Sequence, residues 1–225
     1  VSGWPARALV VGASGGIGAA LAAALEARGA VVTRLSRSAD GLDVTDEASV
    51  AAHIGALGGV FDCIIIATGA LVIDGAAPEK SIRALTPDAM QRQFDLNTVG
   101  PAMVLKHAWP LIAREGRTVV AVLSARVGSI GDNRLGGWTS YRTAKAAVNQ
   151  VVRTAAVELA RSRRDAILVA LHPGTVATRF TADYQDRYDT VPPDAAAANL
   201  LAVIDALTPR DTGGFFDWKG DPIPW

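Results

Sequence analysis

Residues 10–25 read VVGASGGIGAALAAAL. An apolar β-branched run stops at Gly12, and Gly12, Gly16 and Gly18 follow with the spacing G-x-x-x-G-x-G. Beyond them, alanine and leucine continue with helical spacing, so the segment reads strand, glycine turn, helix. Backbone amides at a helix N-terminus hold a phosphate only where no side chain blocks the approach, which is a chemical reason for glycine at such a turn. Tight turns and close helix packing also use glycine, but the strand before and the helix after favour the phosphate reading. Gly12, Ser14 and Gly16 also spell G-x-S-x-G, the pattern of a hydrolase nucleophile elbow. A triad needs a histidine, and of His53, His107 and His172 only His172 ends a strand. The elbow would lie on the first strand, with no earlier strand to supply an oxyanion loop, so that reading is the weaker one.

Working outward, the same alternation fills the chain. The runs ALVVGA, AVVTRL, DCIIIAT, TVVAVLS, AILVALH and GGFFDW are separated by alanine- and leucine-rich helical stretches. Runs that are apolar at every position suit strands covered on both faces, as in a parallel sheet between helix layers. The expected fold is one α/β Rossmann domain over 1–225, a doubly wound parallel sheet of about seven strands with helices on both faces. No linker or charge block divides it. Pro87 and Pro193 read as helix starts, and the cations of ARSRRDA fall at a helix end, where they suit the macrodipole.

Lys+Arg and Asp+Glu both number 22, so no charge excess argues for nucleic acid or an anionic membrane, and the expected partner is a small molecule. The single cysteine, Cys63, lies in an apolar run, excludes an internal disulfide and suits a reducing compartment. No leader-like segment and no apolar run of about 18 residues is visible, so a soluble cytoplasmic protein is expected. Three scattered histidines and one cysteine suggest no metal site.

Three local patterns carry chemistry. At the end of the second strand RLSRSAD places Ser36 and Arg37, and a guanidinium there suits a ribose 2′-phosphate, favouring NADP(H) over NAD(H); an exposed arginine with no such role is the alternative. In SYRTAKAAVN, Tyr141 and Lys145 lie one helical turn apart, so an ammonium beside the phenol would draw its pKa down from about 10. Such a tyrosine can pass a proton to or from a reacting oxygen, although an isolated pair of this kind is often a solvated helix face. Asn97, in FDLNTVGPAM, interrupts an apolar helix with an amide that could instead satisfy nearby backbone groups.

Taken in order, the glycine turn, DVTD, DLNTVGP, Tyr141 with Lys145, and PGTVAT resemble the short-chain dehydrogenase/reductase family over nearly the whole chain. Within it, RVGSIGDNRLGGWTSYRTAKAAVNQ and GGFFDWKGDPIPW resemble the carbonyl-reductase-like branch. The resemblance implies hydride transfer between nicotinamide and a carbonyl or alcohol, with Tyr141 as proton donor or acceptor. Lys145 would also hold the nicotinamide ribose, and Asn97 would order water for a proton relay to it. It also implies cofactor contacts at Ser14, Ile17 and Gly69, an adenine pocket at Asp43 and Val44, and a nicotinamide border at Pro173, Gly174, Val176 and Thr178. A dimer or tetramer is implied as well. Asp43 could instead cap the helix beginning near Asp46, and Pro173–Gly174 could be a turn.

Two positions depart from the family pattern. Paired serines usually end the strand before the tyrosine, but VLSARVGSI puts Ala125 at the second. Ser124 and Ser129 are the candidates for the catalytic hydroxyl, with Ser124 preferred although it faces the opposite side unless the strand end twists. In IIIATGA, Ala67 replaces a usual asparagine while Gly69 still permits close backbone approach. Leu71, Arg126, Trp138 and a substrate loop near 175–192, with Phe180, Tyr184 and Tyr188, are placed where the family builds its pocket; packing or dimer contacts are the alternative for the aromatics. A dinucleotide-binding regulatory protein without turnover is the alternative to an enzyme.

Overall fold

The structure is a computed structural model; residues 4–178 and 190–225 are described. Six parallel strands form one sheet in the order β2-β1-β3-β4-β5-β6. They are β1 (Arg7–Val11), β2 (Val31–Leu35), β3 (Cys63–Ile66), β4 (Thr118–Leu123), β5 (Ala166–His172) and β6 (Phe215–Asp217). Among the described residues the sheet has six strands, where about seven were expected, and the doubly wound parallel arrangement is as expected. At 42–45 three backbone donors bond locally: Leu42 N–H to Ser36 O, Asp43 N–H to Ser49 Oγ, and Thr45 N–H to Asp43 Oδ1.

Helices cover both faces. Leu9, Val11, Ile64, Ile66, Val120, Val122, Leu168 and Ala170 pack on the side of α3 (Glu47–Gly55), α5 (Gly100–Ala108) and α6 (Thr139–Ser162). The intervening residues Ala8, Val10, Cys63, Ile65, Val119, Ala121, Ile167 and Val169 pack on the side of α1 (Gly16–Ala27) and α7 (Pro193–Ala206). This is the two-residue period of a strand expressed in a core, and each fully buried Val, Leu or Ile side chain contributes about 1.5–3 kcal/mol.

The strand order reverses between β1 and β3, which opens a crevice at the carboxyl ends of the strands. Two irregular features shape that edge. Gly12 (φ 92°) packs so closely on the β3 end that an added Cβ would lie 2.7 Å from the Ala67 carbonyl oxygen. The helix α4 (Pro87–Phe94) runs into α5 through a π-helical segment, Asp95–Val99. Pro101 explains the break: it has no N–H for the Asn97 carbonyl, and its ring crowds that oxygen.

Candidate active site

Two cavities meet at the carboxyl edge of the sheet. One, of about 690 Å³, is walled by the glycine turn, the ends of β3, β4 and β5, and α6. The other, of about 700 Å³, lies between the loop after β4, the start of α6 and the chain after β5. Four residues, Ala125, Tyr141, His172 and Gly174, line both.

The first cavity collects Ser14, Gly16, Ile17, Gly18 and Gly69 from the expected cofactor residues, with Pro173, Gly174, Val176 and Thr178 opposite them. No side chain caps α1, so the amides of its first turn are left for an anion. Space is tight: a Cβ on Gly16 would meet Thr178 Cγ2 at 2.5 Å, and one on Gly18 would run into the Gly12 carbonyl. Gly12 itself lies behind this wall, its N–H donating to Leu35 O at 2.8 Å, so the end of β2 adjoins the glycine turn. Ser36 follows as the buried N-cap of α2 (Arg37–Asp40), donating its N–H to Asp40 Oδ2 at 2.7 Å, and Arg37 is exposed beside it. The uncapped first turn of α1 and the glycine-lined space beside it fit a nicotinamide dinucleotide.

Asp43 and Val44 lie farther along. Thr45 donates to the Asp43 carboxylate through both N–H (2.9 Å) and hydroxyl (2.7 Å), which lowers its pKa. Asp46, not Asp43, caps α3 by accepting from Ala48 N–H. Val44 is buried against Gly100.

Helix α6 presents Tyr141 and Lys145 to the junction, both buried. Its register is set from two sides. Glu79 Oε2 accepts from the Ser140 hydroxyl (2.9 Å) and N–H (3.2 Å) at the helix start, and Gly128 lies so close that a Cβ there would meet the Lys145 backbone at 2.8 Å. Lys145 Nζ donates to Leu123 O at 3.2 Å and stands 5.9 Å from the Tyr141 ring centroid. The expected lowering of the phenol pKa is corrected here: burial raises Tyr141, while burial also lowers Lys145 to about 8. Burial in the low-dielectric interior disfavours the charged form of each group, which is the cause of both shifts.

Asn97 sits behind Gly69. Its Nδ2 donates to Ala70 O (2.9 Å) and Gln93 Oε1 (2.7 Å), and its Oδ1 accepts from Ala70 N–H (3.2 Å). A Cβ on Gly69 would lie 2.6 Å from Asn97 Oδ1 and 3.4 Å from Lys145 Nζ, so this glycine keeps open the space between the two side chains. Asn97 thus satisfies the Ala70 backbone, the alternative that the sequence left open.

The two serines separate. Ser124 lines the first cavity, and its hydroxyl donates to Asn149 Oδ1 at 2.6 Å. Ser129 lies outside both cavity walls, donating to Pro224 O and accepting from Asp132 N–H. Ala125, at the position of the missing hydroxyl, faces both cavities.

Leu71, Arg126 and Trp138 line the second cavity as expected, and Trp138 stands edge-on to Tyr141 with centroids 6.4 Å apart. Arg126 joins Asp132 (3.0 Å) to Asp217 (2.9 Å). Ala177 N–H donates to Val191 O and Val191 N–H donates to Thr175 O, joining the two ends of the segment near 175–192. Phe180, Tyr184 and Tyr188 lie outside the described residues. The sequence reading missed Asn149, Gln93 and Glu79 as supports, and it weighed His172 only for a hydrolase. Its place directly before Pro173–Gly174 was the available signal.

The family model described as short chain dehydrogenase matches residues 41–189. A dehydrogenase of Rhodococcus sp. (strain AD45), named 1-hydroxy-2-glutathionyl-2-methyl-3-butene dehydrogenase, is 34% identical over 232 residues, covering 96% of this chain and 98% of its own. The chain belongs to the short-chain dehydrogenase family. As a member it is a nicotinamide-dinucleotide-dependent oxidoreductase acting on CH–OH groups. Its fold matches the carbonyl reductase Sniffer of D. melanogaster with a TM-score of 0.81 at 21% identity, over 98% of this chain and 99% of that one. An NADPH-bound carbonyl reductase from chicken fatty liver gives a TM-score of 0.81 at 24% identity, with the same coverage. Among the described residues no helix of this short-chain dehydrogenase is long and apolar enough to cross a membrane, and no group of three or more His, Cys, Asp or Glu could hold a metal ion.

Proposed function

We propose that this short-chain dehydrogenase interconverts a carbonyl and an alcohol with NADP(H), Tyr141 moving the proton. The carrying observation is the position of Tyr141 in the walls of both cavities, one turn from a buried Lys145. A nicotinamide dinucleotide held by Ser14, Gly16, Ile17 and Gly18 in the glycine-lined cavity would supply or accept the hydride. Tyr141, kept protonated by burial, donates its hydroxyl proton to the developing alkoxide, and in the reverse direction its phenolate accepts that proton. Lys145, protonated at neutral pH, places a cation near the ring and favours the phenolate as the proton leaves. Asn97 is assigned the ordering of a water that returns a proton towards Lys145. Ser124, with its hydrogen on Asn149, can only accept, and is assigned a contact to the hydroxyl of the alcohol.

Preference for NADP(H) rests on Arg37, exposed where β2 adjoins the glycine turn. The second cavity is mainly apolar in its walls, with Lys80 and Arg134 exposed around it, and a substrate with an apolar body and an anionic group fits. The Rhodococcus relative is named for a substrate that carries a glutathionyl group. We also read the chain as a single dinucleotide-binding domain that assembles as a dimer or tetramer. Cys63, buried with its thiol pKa raised to about 12, is consistent with a reducing compartment such as the cytoplasm.

The test is NADPH oxidation across aldehydes, ketones and quinones, including 4-carboxybenzaldehyde beside 4-nitrobenzaldehyde. Tyr141→Phe is expected to remove at least about 100-fold of turnover; unchanged turnover in that variant would overturn the mechanism.

A further inference from the structure

We infer that His172 donates a hydrogen bond to the reacting oxygen of the substrate, at the place where Ala125 leaves no hydroxyl. The inference rests on the proposed function, and four observations carry it.

The first is position. His172 ends β5 in register with Asp217 of β6, and Ala170, two residues earlier, packs on the face that carries α6. Two-residue alternation puts the His172 ring on that same face, with Tyr141. It lines both cavities, as among the described residues only Ala125, Tyr141 and Gly174 also do. The second is an unpaid polar group: Nδ1 is buried with no hydrogen-bond partner, which costs about 1–3 kcal/mol when nothing offsets it. A ring with its proton on Nε2 leaves Nδ1 a bare acceptor and Nε2 as the donor available to the cavities.

The third concerns charge. Burial and the neighbouring Arg126 lower the His172 pKa to about 4, against a smaller opposing pull from Asp217. At neutral pH the ring is uncharged and has one N–H. A neutral imidazole can polarise a carbonyl without surrendering its proton. The fourth is the lack of another hydroxyl donor among the serines of this strand end: Ser124 gives its hydrogen to Asn149, and Ser129 gives its own to Pro224 O. During reduction the substrate oxygen accepts from His172 N–H throughout and takes its proton from Tyr141, so His172 begins and ends neutral.

Two measurements test this. With 4-nitrobenzaldehyde as the probe, His172→Phe is expected to lower kcat about 10- to 100-fold with the KM for dinucleotide unchanged. His172→Gln, which keeps a donor, recovers part of the loss, and Ala125→Ser added to His172→Phe restores about tenfold. A folded His172→Phe with wild-type kcat, or no rescue by Ala125→Ser, overturns the inference. The second measurement needs no turnover and no change at position 172. The carbonyl stretch of isotope-labelled 4-nitrobenzaldehyde bound to Tyr141→Phe with oxidised dinucleotide is expected below its value in hydrocarbon solvent, and a band at the hydrocarbon value overturns it. The two readings also fail separately. Loss of turnover in Tyr141→Phe without loss in His172→Phe removes only the histidine, whereas full turnover in Tyr141→Phe removes the proposed function itself.

Discussion

His172 and Lys145 are basic groups that the fold holds below their ordinary pKa, and each ties protonation to stability. For His172 the folded value is about 4 against 6.5. Between those values the unfolded chain binds the proton and the folded chain does not. Stability is therefore intact above about pH 6.5 and declines as pH falls towards 4, by up to about 3 kcal/mol from this group. Urea unfolding at a series of pH values should show this acid limb, and His172→Gln should flatten it. An identical slope in the variant would mean that the ring is not held neutral by its surroundings. Lys145, with its pKa near 8, follows the same sign in a higher window, from 10.5 down to 8. Tyr141 opposes it there: its raised pKa makes stability fall as pH rises past 10, where the unfolded phenol ionises first. The acid window is therefore the clean one to measure.

At the scale of elements, the side chains proposed for catalysis depend on irregularities in otherwise regular helices. The π segment Asp95–Val99 turns Asn97 towards Ala70, and Pro101 is the residue that breaks the α-helical bonding there. Pro101→Ala supplies the missing N–H, and the helix is expected to close into regular α-geometry with Asn97 rotated away from Ala70. Because misplacement by about 1 Å can cost about 100-fold, a loss of roughly 10- to 100-fold in kcat is expected with thermal stability kept or raised. Steady-state kinetics with a melting curve checks this; wild-type kcat would mean that the π segment does not set the amide. Helix α6 depends instead on contacts from outside, Glu79 at its start and Gly128 against the Lys145 turn. These contacts join residues far apart in sequence, so neither was legible before the fold was known. The Tyr141–Lys145 spacing was legible because it is local to one helix. Asn97 was legible as an amide in an apolar helix, but its geometry comes from a proline four residues later. Ser124 shows the limit of strand alternation: it stands in the cavity wall, yet its hydrogen points to Asn149 and away from chemistry.

For the whole molecule, the sheet and its two helix layers were readable because strands apolar at every position have few other solutions. The crevice at the strand-order reversal links this architecture to cofactor choice, because it brings the end of β2 against the glycine turn. A ligand that binds only the folded chain stabilises it by about 2.7 kcal/mol at 100 times its Kd. For a chain of this size that corresponds to a rise in Tm of roughly 5–10 °C. NADPH is expected to give this rise at a lower concentration than NADH, since only NADPH brings the 2′-phosphate to Arg37. Arg37→Ala should remove most of the difference by weakening NADPH binding about 10-fold or more, while leaving the NADH shift and the Tm of the unliganded protein nearly unchanged. Arg37 is exposed, so a fall in unliganded Tm would point away from the phosphate. Equal shifts from the two dinucleotides in the unmodified protein would remove Arg37 from cofactor selection, while leaving the glycine cleft as the phosphate site.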